Sequence, residues 1–86
     1  MKFIIKEYID KITTQDILRF GLENGVSLEK EDADILYFYL KNNWEDLLYG
    51  SPLPIISKIE DKLGKTKCKI ISDLFYMYKE KYKDYL

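Results

Sequence analysis

The chain has 86 residues, a formal net charge of −1, no histidine, one cysteine, and one arginine beside thirteen lysines. Those absences remove the imidazoles, thiol clusters and bidentate guanidinium groups from which most catalytic centres and zinc sites are built. The near-neutral balance argues against a dedicated polyanion binder, and a hydrophobic content of 47% with only four Gly and two Pro argues against disorder.

What the chain has in quantity is aromatic: eight tyrosines, four phenylalanines and Trp44. On a single small domain, which buries about 60–65% of its unfolded surface, such residues build a core or an interface. A lone Cys68 cannot close an intramolecular disulfide, which fits a cytoplasmic protein. The opening Met1-Lys2-Phe3-Ile4-Ile5 starts like a signal peptide, but Lys6, Glu7 and Asp10 interrupt the apolar run. No stretch reaches the length of a membrane span. Charge is uneven: residues 1–57 hold six basic and ten acidic side chains, and residues 58–86 hold eight and five. Eleven isoleucines beside one alanine suggest an AT-rich genome.

Apolar positions recur at three and four rather than two, so the fold class is all-α, a compact bundle of about five short helices in one domain, 1–86. Ile5, Tyr8, Ile9 and Ile12 predict an amphipathic helix over about 2–12, with Phe3 off the stripe. Thr13 and Asp16 read as the cap of a second helix. Its buried face is Ile17, Leu18, Phe20, Gly21 and Leu22, and Asn24-Gly25 is its stop. Val26 and Leu28 then plug the core from the loop.

The third helix is predicted over about Lys30 to Asn42, with Glu29, Glu31 and Asp32 at its positive end. Ala33, Leu36, Tyr37, Leu40 and Trp44 share one face, and Ile35, Phe38 and Tyr39 the opposite one. A helix apolar nearly all round is buried on several sides, so it is placed at the centre, with Trp44 buried. Asn42-Asn43 ends it or re-caps a short turn through Tyr49. Gly50-Ser51-Pro52-Leu53-Pro54 breaks the chain before a fourth helix with the stripe Ile55, Ile56, Ile59 and Leu63, stopped by Gly64. Thr66 is expected to cap the last and longest helix, packed along the third, whose face is Ile71, Leu74, Phe75, Tyr78, Tyr82 and Tyr85.

Few side chains invite chemistry. The carboxylates lie on charged helix faces, the glycines are isolated, and Cys68 lacks a histidine partner, so no catalytic residue, metal site or cofactor is expected. The second and third helices superficially resemble a helix-turn-helix, but the would-be reading helix opens with acids, so nucleic acid is an unlikely partner. Lys65, Lys67 and Lys69 stand at a helix start, where the dipole disfavours cations. Ile70, Tyr76 and Met77 fall outside the buried stripe of the same helix. Together these six form the candidate interaction surface, for an acidic protein partner or for a weak homodimer through the last helix. The alternative is nucleic-acid binding through the lysines of residues 58–83.

The segments Ile12-Thr13-x-x-Asp16-Ile17-Leu18, Gly25-Val26-Ser27-Leu28, Asp32-Ala33-x-Ile35 and Leu74-Phe75 resemble the YqfT-like proteins, small proteins of low-GC Gram-positive bacteria. That resemblance implies a bacterial, cytoplasmic, all-helical protein and transfers no catalytic or binding residue. The functional expectation is a non-enzymatic protein–protein interaction module.

Overall fold

Capping chemistry and two turns divide the chain. The computed structural model describes residues 2–86. Its helices are α1 (Lys2–Lys11), α2 (Thr14–Glu23), α3 (Lys30–Tyr49), α4 (Leu53–Leu63) and α5 (Lys65–Lys81), followed by a 3-10 turn at Lys83–Tyr85. No strand occurs among the described residues, so the all-α reading holds. The radius of gyration, 12.2 Å, is close to the ~12 Å of a folded chain this long.

Thr13 caps α2 as its sequence predicts. Its hydroxyl accepts from the Asp16 N–H at 3.2 Å, while the Asp16 carboxylate accepts from the Thr13 N–H at 2.9 Å. The Thr13 backbone N–H, then the Thr13 side chain, hold the Asp16 carboxyl below the usual carboxylate range, with Arg19 adding to them. Asp32 repeats the arrangement at the start of α3, accepting from the Glu29 N–H at 3.0 Å. Between the two helices Gly21 is required by contact: a Cβ there would lie 2.9 Å from the Val26 carbonyl and 3.1 Å from Leu28. The loop can therefore lie on α2, with the Val26 N–H donating to the Gly21 carbonyl at 2.7 Å. Val26 is buried and Leu28 half-buried, the plug that the sequence suggests.

α3 is longer than expected. The pair Asn42-Asn43 bends it without ending it: Asn43 alone leaves helical geometry (φ −133°, ψ 18°), and the helix resumes to Tyr49. The Asn42 amide donates to the Phe38 carbonyl at 2.8 Å across that bend. At 20 residues α3, not the 17-residue α5, is the longest helix. It is the central element, in contact with α1, α2 and α4. α1 is fastened to it by the Lys2–Glu45 pair at 2.9 Å and by Lys41, which donates to the Ile9 carbonyl. Trp44 is buried, 8% exposed, with its ring edge-on to Tyr49.

α5 lies along α4 rather than along α3, because only Gly64 separates the two helices. Gly64 has φ 88° and ψ 162°, a region essentially closed to side-chain-bearing residues. It ends α4 and starts α5 at once, so Thr66 falls inside the first turn of α5 and makes no cap. α5 reaches α3 through side chains. Cys68, 2% exposed, joins Tyr39, Leu47, Ile55 and Ile59 in the buried cluster.

Several expected core positions are outside. Leu22 is 69% and Tyr8 67% exposed, so the buried stripes of α1 and α2 are narrower than their apolar patterns. The stripe of α5 fails at its end, since the helix stops at Lys81 and leaves Tyr82 and Tyr85 exposed. No large side chain among the described residues is completely shielded. The interior is correspondingly open.

Candidate functional site: an apolar cleft

That opening is a cleft of about 380 Å³ between α2, α3, α4 and α5. Ile17 and Phe20 line it from α2, and Leu36, Leu40 and Leu47 from α3. Ile56 and Ile59 form its α4 wall, with Ile71, Leu74, Phe75 and Tyr78 opposite on α5. Tyr82 and Leu86 also line it. Most of these positions follow from helical spacing; Leu47 and Leu86 do not, and Tyr82 lies beyond the end of α5.

The few polar groups on the lining are turned to neighbours. The Ser72 hydroxyl donates to the Lys69 carbonyl at 3.1 Å, and the Cys68 thiol to the Ile56 carbonyl at 3.6 Å. The Tyr78 hydroxyl reaches the Asn24 side-chain oxygen at 3.4 Å, and Lys79 donates to the Leu47 carbonyl at 3.0 Å. Among the described residues no buried side-chain nitrogen or oxygen lacks a partner. The wall thus offers a guest almost entirely apolar contact, with the Lys79 ammonium at one end the exception. Burial, with the Glu60 charge second, pushes the Cys68 thiol up and away from the reactive thiolate.

The size of the cleft matters energetically. At about 24 cal/mol per Å³, an enclosed void of 380 Å³ would cost about 9 kcal/mol, which is the net stability of a small domain. The fold avoids that cost by leaving the cleft open at the surface, where water wets apolar walls. A guest that replaces this water recovers the lost burial.

None of the six residues singled out from sequence lines the cleft: five are exposed on α5, and Lys67 is half-buried. Lys67 is bonded within the chain, its ammonium 2.8 Å from the Asp32 carboxylate. This hydrogen bond holds Asp32 below and Lys67 above their ordinary values, against the opposing effect of burial on each. Lys69 pairs with Asp73 at 2.8 Å one turn on. Lys65 is exposed and makes no ion pair among the described residues. Ile70, Tyr76 and Met77 are exposed, Met77 most at 52%, while the Tyr76 ring leans edge-on to Phe75. Tyr76 also stands at the rim of a second cavity that adjoins the cleft.

Among the described residues no group of three or more His, Cys, Asp or Glu side chains could hold a metal ion, and no helix is long and apolar enough to cross a membrane. No protein-family model, curated protein or solved structure matches the chain.

Proposed function

We propose that the chain is a non-enzymatic interaction module of the bacterial cytoplasm that works by taking an apolar group of its partner into the cleft between α2, α3, α4 and α5. The observation that carries this reading is the lining itself: a 380 Å³ space whose walls are hydrocarbon and aromatic, with Ser72 and Tyr78 bonded to neighbours. Sites of this volume are in the range that holds small apolar ligands. Catalysis would need a nucleophile or an acid–base pair at the wall, and the wall supplies neither.

Membership of the YqfT-like proteins is proposed on the segments that resemble them. They fall at structural junctions: the Thr13/Asp16 cap, the loop laid on Gly21, Asp32 at the head of α3, and Leu74-Phe75 on the cleft. Nucleic-acid binding through residues 58–83 has little to support it, because Lys67, Lys69 and Lys83 are paired with Asp32, Asp73 and Glu80.

The test is titration with an uncharged environment-sensitive dye. Saturable one-to-one binding, a raised melting temperature, and loss of binding in Leu40→Trp and Leu74→Trp proteins that keep their helicity are expected. No saturable binding by the folded wild-type chain, or binding unaffected by both fillers, would contradict the reading.

Self-association is the second reading, favoured by the exposed Ile70 and Met77 on one side of α5 and by the opposite charges of the two chain halves. Sedimentation up to hundreds of micromolar is expected to show a weak dimer that Met77→Glu disperses. A monomer of 10.3 kDa throughout that range removes this reading.

A further inference from the structure

Three features at one end of the cleft go beyond a generic apolar site. The cleft meets a second, more open cavity of about 500 Å³, and Leu48, Lys79 and Leu86 line both. The second cavity is more polar than the first: the tyrosines Tyr49 and Tyr76 and the Glu80–Lys83 pair, 2.9 Å apart, stand around it. At the junction is Lys79. Its ammonium donates to the Leu47 carbonyl at 3.0 Å and lies 5.6 Å from the Phe75 ring centre, and both of these partners are neutral. No carboxylate comes within ion-pair distance of Lys79 among the described residues. Glu80 and Lys83 pair with each other, so Lys79 stands at the end of the apolar cleft with no ion-pair partner among the described residues.

We infer that the guest is a single-chain anionic amphiphile of the fatty-acid class, its hydrocarbon tail in the cleft and its carboxylate at Lys79. The inference rests on the apolar cleft being the binding element. An ammonium has three donors, of which the Leu47 carbonyl uses one, so two are left for a carboxylate. The tail fits the volume: a dry apolar cavity of about 150 Å³ holds one benzene, and this cleft is over twice that size. A helix of another protein fits less well. The Phe20 and Tyr78 rings meet at 5.3 Å, and the Tyr78 hydroxyl reaches Asn24, so α2 and α5 touch across the cleft. A helix is about 10–12 Å across with its side chains and would have to part that contact, whereas an extended chain passes beneath it.

Dodecanoate, dodecanol and dodecylamine, each kept monomeric, are titrated into the full chain by competition with the uncharged dye. Dodecanoate is expected to displace the dye at one equivalent and to bind about tenfold tighter than dodecanol, the effect of one charge-assisted contact. Dodecylamine is expected to bind weakest, and added salt to shrink the advantage of the acid. Lys79→Gln removes the charge and leaves a shorter neutral amide; the ratio of acid to alcohol affinity should fall to about one. Equal binding of acid and alcohol, or a preference that survives Lys79→Gln, overturns the inference. Dye binding with no competition from any of the three chains overturns it while leaving the apolar site standing. Absence of binding by dye and chains alike removes the site itself.

Discussion

Asp32 joins two distant parts of the chain at one carboxylate. It takes the Glu29 N–H that opens α3 and the Lys67 ammonium from the first turn of α5. The lysine is then explained where the helix dipole alone would oppose it: the pair binds it to the opposite helix start. The depressed carboxyl gives this contact a pH signature. A group whose folded-state pKa lies below its unfolded value stabilises the fold above the unfolded value, about 3.9 for Asp, and loses that contribution as the pH falls through the folded value. Asp32→Asn is therefore expected to lower the urea midpoint at pH 7. The gap to wild type should be constant above about pH 5 and close progressively below about 3.9. Asp16, also depressed, is present in both proteins and cancels. A gap unchanged between pH 7 and pH 3 would show that the carboxylate's charge is not what stabilises the contact. Residue-level readings fared unevenly here. The Thr13 cap was legible because it depends on four consecutive residues, whereas Lys67–Asp32 spans 35 positions and leaves no trace in local pattern.

Helix positions were mostly legible from spacing and caps, and the errors share one cause: tertiary placement overrode a local signal. Asn42-Asn43 looks like an end because Asn is a poor helix former. Yet Trp44 and Leu47 on the far side are buried, and their packing carries the helix on through the bend. Thr66 looks like a cap, but Gly64 has already turned the chain. This makes Gly64 the most constrained junction in the fold. Gly64→Ala would force a Cβ into a backbone region that costs about 1–3 kcal/mol, although nothing lies within 4 Å to clash with it. A fall in chemical-denaturation stability of that size is expected, from backbone geometry alone. A variant as stable as wild type would mean that α4 and α5 are joined by a different turn. The exposed Leu22, Tyr8 and Tyr85 have the opposite lesson: apolar spacing marks which residues could be buried, and only the neighbours decide which are.

At the scale of the molecule, four helices enclose an apolar space that they do not fill. Sequence contained the parts of this cleft, since Leu36, Leu40, Leu74, Phe75 and Tyr78 all belong to stripes that spacing identifies as inward-facing. It did not contain the shortfall between them, because whether facing stripes interdigitate depends on the path of α3 and on α5 turning onto α4. The outer surface of α5 drew attention instead, since unassigned apolar residues and lysines are visible in one dimension and an unfilled interior is not. The proposed seat of the apolar partner is the inner space, not that outer surface. Amide shift mapping with dodecanoate on the isotope-labelled chain tests it most directly. One saturating set of shifts is expected on the residues facing the cleft, Leu40, Ile59, Leu74 and Phe75 among them, with the exposed Ile70 and Met77 little changed. Shifts confined to Ile70, Met77 and their exposed neighbours, or none on the cleft-facing residues, would contradict it.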